Sequence, residues 1–126
     1  MRGVQGGSVQ LVSGTVSIWP ENAMPPGPPL GFEVEDAFPL WSGLLPAGAT
    51  LLAWTDGITE AFDVDNLAFG AERIPEALQP GVTAGEQCEA LIARVHAFTD
   101  PAPQSDDITA LAIRRRLDSG PASPEA

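Results

Sequence analysis

Polar and apolar positions alternate twice in quick succession near the start of the chain, over residues 8–12 (Ser-Val-Gln-Leu-Val) and 15–19 (Thr-Val-Ser-Ile-Trp). Period-two alternation on either side of Ser13-Gly14 predicts a β-hairpin closed by a two-residue turn. Residues 20–31 hold five prolines, too many for regular structure, and predict a surface connection from which Leu30-Gly31-Phe32 re-enters the fold. Phe32, Val34 and Phe38 predict a further strand, broken by Pro39. Pro46-Ala47-Gly48 signals a turn. The stretch that follows, residues 49–55, is apolar at successive positions, the pattern of a central strand covered on both sides.

Beyond this strand the period lengthens. Residues 57–62 read as a short helical turn and residues 63–66 as a polar loop. Residues 70–78 have helical composition, but Pro75 lies just past the positions where a missing N–H is harmless, so this helix begins late or is kinked. The clearest helix starts at Thr83. Its spacing to Glu86 is that of a capping box, and Cys88, Leu91, Ile92, Val95 and Phe98 then recur on one face. The helix ends before Pro101, a loop covers residues 101–105, and residues 108–114 read as a closing strand. Residues 117–126, rich in Pro, Ser, Gly and Glu, are expected to be a disordered tail.

Size and composition place these elements in one domain: 126 residues, 44% of them hydrophobic, can enclose a core, although 13 prolines and 13 glycines give much of the length to loops. The net charge of -11 argues against nucleic acid or an anionic membrane surface as partner, since both demand clustered Lys and Arg. The run Arg114-Arg115-Arg116 is too short to change that, and reads as a solvated strand edge. Cys88 is the single cysteine and lies on the apolar stripe, so it reads as a core residue in a protein with no call for an oxidising compartment. Neither a signal-peptide pattern at residues 1–10 nor a run near the roughly 18 apolar residues of a membrane span is present, and a cytoplasmic location is expected. His96, at the border of the helical stripe, reads as a surface residue, and Trp19, Trp41 and Trp54 as packing residues.

The candidate chemistry lies at two strand ends. The apolar run from Leu51 to Trp54 stops at Thr55-Asp56-Gly57, and Asp106-Asp107 opens the closing strand. Mg²⁺ and Mn²⁺ take oxygen ligands in octahedral geometry and keep several waters, so two or three carboxylates from separate strand ends suffice. Asp56, Asp106, Glu60 and Asp107 are of the right type. On spacing alone the simpler reading is favoured: Asp56-Gly57 as an N-capping turn before a short helix, and Asp106-Asp107 as a solvated loop end.

Four segments in order carry a resemblance. They are Pro29-Leu30-Gly31; Leu45-Pro46-Ala47-Gly48 leading into Leu51-Leu52-Ala53-Trp54-Thr55-Asp56-Gly57-Ile58-Thr59-Glu60-Ala61; Phe69-Gly70-Ala71-Glu72-Arg73-Ile74; and Asp106-Asp107-Ile108-Thr109. From residue 30 to residue 114 the chain resembles the C-terminal half of a PPM-type (type 2C) metal-dependent protein serine/threonine phosphatase domain, of the bacterial SpoIIE-like branch. The resemblance implies an α+β fold, a partial α-β-β-α sandwich of mostly antiparallel sheets flanked by helices and lacking its N-terminal part. Residues 8–116 would then be the C-terminal portion of that domain, with residues 1–7 unassigned and 117–126 a tail. It implies Asp56 and Asp106 as ligands of a centre that takes two Mn²⁺ or Mg²⁺ per intact domain, with Gly57, Glu60 and Asp107 as accessory residues. Asp107 would orient its neighbour rather than bind. The nucleophile would be a metal-activated water, with no catalytic side chain. The implied substrate is a phosphoserine or phosphothreonine protein, such as an anti-sigma-factor antagonist of a partner-switching pathway.

Departures from the family pattern carry equal weight. The bridging aspartate of such sites, followed by glycine, belongs to the N-terminal half, and the acidic residues before Asp56, namely Glu21, Glu33, Glu35 and Asp36, are not followed by Gly. A His-Pro-Pro segment before the hairpin is missing, and Ala49 stands where an aspartate is common. The expectation is therefore a truncated domain, weakly active or inactive alone. Two other classes remain open: a non-catalytic, phosphatase-like interaction module that binds a signalling partner or self-associates through an exposed sheet edge, and an acidic globular fragment without a function of its own.

Overall fold

The hairpin pattern of residues 8–19 is realised as β1 (Gly7–Val12) and β2 (Thr15–Ile18), with Val12 opposite Thr15 across the predicted two-residue turn. The computed structural model describes residues 7–12, 14–18 and 42–117. The expected strand around Phe32 to Phe38, the proline-rich connection, Trp19, Trp41 and the tail beyond Leu117 lie outside these residues. β1 also pairs antiparallel with β3 (Thr50–Trp54), and β3 with β4 (Ala110–Arg114), giving a four-stranded antiparallel sheet in the order β2-β1-β3-β4. Together with its helices the sheet makes an α+β fold.

A turn sets the entry to β3. The Ala49 N–H donates to the Pro46 carbonyl at 3.0 Å while Gly48 sits at φ 80°, the left-handed value that a type II turn demands at its third position. Gly48 N–H then donates to the Arg115 carbonyl at 2.7 Å, and Arg115 N–H to the Ala49 carbonyl at 3.0 Å, extending the ladder past β4. The arginine run is thus more than a solvated edge: Arg115 Nη1 donates to the Leu45 carbonyl at 3.1 Å, and Arg114 has its Nε buried with no hydrogen-bond partner.

The register assigns the faces. Val9, Leu11, Leu52, Trp54, Ala110 and Ala112 lie on one side, and Gln10, Val12, Leu51, Ala53, Leu111 and Ile113 on the other. Among the described residues helices cover only the first side. There Val9, Leu11, Leu52 and Trp54 join Ile58, Phe69, Ile74, Leu91 and Val95 in one buried cluster. On the second side Leu111 is 58% and Ile113 49% exposed. The expected burial of β3 on both faces is therefore half met among the described residues: Leu52 is fully buried and Leu51 only partly.

The covering helix is α3 (Ala84–Thr99), packed against β4. Thr83 caps it as predicted, its hydroxyl accepting from the Glu86 N–H at 3.1 Å. The buried line down this helix is Gln87, Leu91 and Val95, with Phe98 half-buried against the cluster. Cys88 and Ile92 are only partly buried, so the stripe lies nearer to position 87 than the apolar residues alone predict. Gln87 is tolerated there because both ends of its amide are used. Its Nε2 donates to the Ala77 carbonyl at 2.6 Å and its Oε1 accepts from the Gln79 N–H at 2.8 Å. The predicted interruption at Pro75 is real: a single 3₁₀ turn (Ala71–Arg73) leads into the four-residue α2 (Ile74–Ala77), with the proline in its first turn.

Candidate functional site

The apolar strand β3 ends at Trp54, and Asp56 opens the short helix α1 (Asp56–Thr59) immediately after it. Ile58 and Thr59 are fully buried and anchor this turn to the core, while Asp56 stays exposed at its start. The Asp56 carbonyl accepts from the Glu60 N–H at 2.8 Å, closing the turn. Glu60 follows one helical turn later and is partly buried.

The segment leading into β4 runs alongside. Thr55 N–H donates to the Thr109 carbonyl at 3.2 Å, and the backbone at Gly57 lies so close to Asp107 that an added Cβ would stand 1.9 Å from its carbonyl oxygen. Such an approach is open only to glycine, because the obstructing atom is backbone and cannot swing away. Gly57 therefore acts here through shape. It lets the segment bearing Asp106 and Asp107 lie directly against the residue that follows Asp56.

Asp106 is held by its neighbours. Its Oδ1 accepts from the Asp107 N–H at 2.8 Å, and its carbonyl accepts from Gln104 Nε2 at 2.9 Å. Asp107 was expected to orient Asp106, and the group in contact is the Asp107 backbone N–H. Both aspartates are exposed. Gly57, Phe62, His96, Gln104 and Asp106 line a small cleft at this point. Sequence reading placed His96 on the surface, where it is; its position beside Asp106 had no signal in the helical pattern. The amide of Gln104 was likewise unread, being an ordinary polar residue in a loop.

Asp56 and Asp106 are exposed carboxylates on adjoining backbone segments, hard oxygen donors of the type that Mg²⁺ and Mn²⁺ take. They do not complete a two-metal centre. Among the described residues no group of three or more His, Cys, Asp or Glu side chains is disposed to hold a metal. Nor is any helix among them long and apolar enough to cross a membrane.

Comparison with known proteins bears on this arrangement. No curated protein and no solved structure matches the chain. The family model described as stage II sporulation protein E (SpoIIE) matches residues 17–116, which takes in the end of β2, β3, β4 and the described helices together with Asp56, Gly57 and Asp106. A match over most of the chain identifies a phosphatase-type domain whose family depends in general on metal. The chain belongs to the SpoIIE family of PPM-type phosphatases.

Proposed function

We propose that this chain is the metal-binding, C-terminal part of a protein serine/threonine phosphatase that hydrolyses phosphomonoesters on a protein of a bacterial partner-switching pathway. The substrate in this reading is a phosphoserine or phosphothreonine protein such as an anti-sigma-factor antagonist. The observation that carries it is the backbone contact between Gly57 and Asp107, which sets the segments of Asp56 and Asp106 side by side within the residues matched to the family.

Asp56 and Asp106 would hold Mn²⁺ or Mg²⁺ between them, with Glu60 one turn behind as an outer acid. Bound cations in such sites lower the pKa of a coordinated water and neutralise phosphoryl oxygens during in-line attack. The chain's own contribution is placement: α1 presents Asp56 from a buried turn, and the Asp107 N–H fixes one oxygen of Asp106. Because these residues fall short of a two-metal set, the 126-residue chain is expected to bind the cation weakly and to turn over little phosphoester.

Calorimetric titration with Mn²⁺ tests the reading. Weak binding that falls by about tenfold or more in Asp56→Asn and in Asp106→Asn is expected, a scale that even outer-shell partners reach in metal sites. Equal binding by all three proteins would remove both residues from the site. A second reading, a non-catalytic module that joins another chain, draws on Leu111 and Ile113 of the sheet face that the described residues leave open. A stable dimer without metal affinity in sedimentation and calorimetry favours it.

A further inference from the structure

The six Lys and Arg positions of this chain are all arginines, and Arg73 and Arg94 line one open cleft of about 210 Å³ between the 3₁₀ turn and α3. Their circumstances differ. Arg94 Nη1 faces Glu76 Oε2 at 3.7 Å in an exposed pair. Arg73 is partly buried and joins no ion pair among the described residues, although Glu72 and Glu76 are close by in sequence. Its Nε is buried with no hydrogen-bond partner. Its guanidinium carbon lies 4.6 Å from the ring centroid of Phe98, and that ring meets Phe69 edge-on, with centroids 5.5 Å apart at 77°.

A guanidinium stacked on an aromatic ring loses part of its hydration and most of its conformational freedom before any partner arrives. In a protein of net charge -11 such a cation has acids nearby to pair with, and among the described residues Arg73 pairs with none. We infer that the cleft of Arg73, Phe69, Ala97 and Phe98 is a seat for one carboxylate side chain of a partner protein's peptide segment, flanked by apolar residues. The chemistry narrows the occupant. Arg94 is already matched by Glu76, so the cleft offers one uncompensated positive charge, suited to a monoanion. Phosphate dianions favour clusters of cations, and the neighbouring glutamates together with the net charge oppose them. The aromatic and alanine walls accept apolar neighbours of the carboxylate in the same segment. Neither Asp56 nor Asp106 lines this cleft, and the inference stands independently of the phosphatase reading.

The test is an NMR titration of the full chain, with labelled arginine and phenylalanine, using a blocked Ala-Leu-Glu-Leu-Ala peptide. The expected result is a saturable shift of the Arg73 Nε–H and Phe98 ring resonances, absent with the same peptide carrying Gln in place of Glu. Arg73→Gln is expected to weaken peptide binding at least tenfold, read at Phe98, and Arg116→Gln to leave it unchanged. Arg73→Lys keeps the charge without the planar fork and should fall between. Equal binding of the Glu and Gln peptides would overturn the proposal on the unmodified protein, whatever the variants do. Tighter binding of inorganic phosphate than of the peptide at the Arg73 resonance would overturn the carboxylate assignment.

Discussion

Leu52 and Leu51 are neighbours in β3, identical in chemistry, and meet opposite environments. Leu52 is fully buried beneath the helices, while the face of Leu51 extends into Leu111 and Ile113, which are about half exposed. The contrast separates what a strand pattern can say from what it cannot. An unbroken apolar run states that both faces can be covered; which face is covered depends on what else packs there. On the helical side, the cover is α3 and the two short helices, drawn in by a continuous apolar cluster. On the other side, the described residues leave a surface suited to a further layer.

The sharpest way to break this contrast is to delete volume on each side. Leu52→Ala is expected to cost about 2–5 kcal/mol in denaturant unfolding, the scale for a buried leucine in a packed core. Leu111→Ser should cost less than about 0.5 kcal/mol, as at an open surface. A cost for Leu111→Ser approaching that of Leu52→Ala would show that the second face is covered in solution.

Gly57→Ala follows in size. The new methyl would collide with the Asp107 carbonyl, so α1 and the segment before β4 must separate. A loss of about 1–3 kcal/mol is expected, as for overpacking, with Mn²⁺ affinity falling in parallel. Stability lost without any change in metal affinity would unlink Gly57 from the site. Gln87→Ala leaves the Gln79 N–H and the Ala77 carbonyl without their amide partner. It should cost about 1–3 kcal/mol, and a neutral result would mean that water enters behind α2. Smallest is Thr83→Ala, about 1 kcal/mol for the lost cap of α3. Fraying confined to the first turn of that helix by hydrogen exchange would confirm the cause.

Local rules were legible where one principle acts alone. The hairpin register followed from alternation and a two-residue turn, a turn of unspecified type from Pro46-Ala47-Gly48, the start of α3 from Thr83, and the interruption at Pro75 from the missing N–H. The candidate site was half legible. Asp56 and Asp106 stood out as carboxylates ending or opening apolar strands, and their order matched a family pattern. Gln87 and His96 did not stand out. A polar residue in a helix gives no sign of being buried until its two backbone partners are known, and His96 comes beside Asp106 through the packing of α3 rather than through any spacing along it.

Fold class and the identity of the acids were written into the order of residues, because turn geometry, capping and side-chain periodicity are short-range consequences of backbone sterics and hydrogen bonding. Three things waited for the three-dimensional arrangement. They are the side of β3 that is buried, the backbone contact at Gly57 that sets the two acid-bearing segments together, and the stacking of Arg73 on Phe98. Each depends on distances between segments far apart in the chain, and such distances are set by how the elements pack against one another.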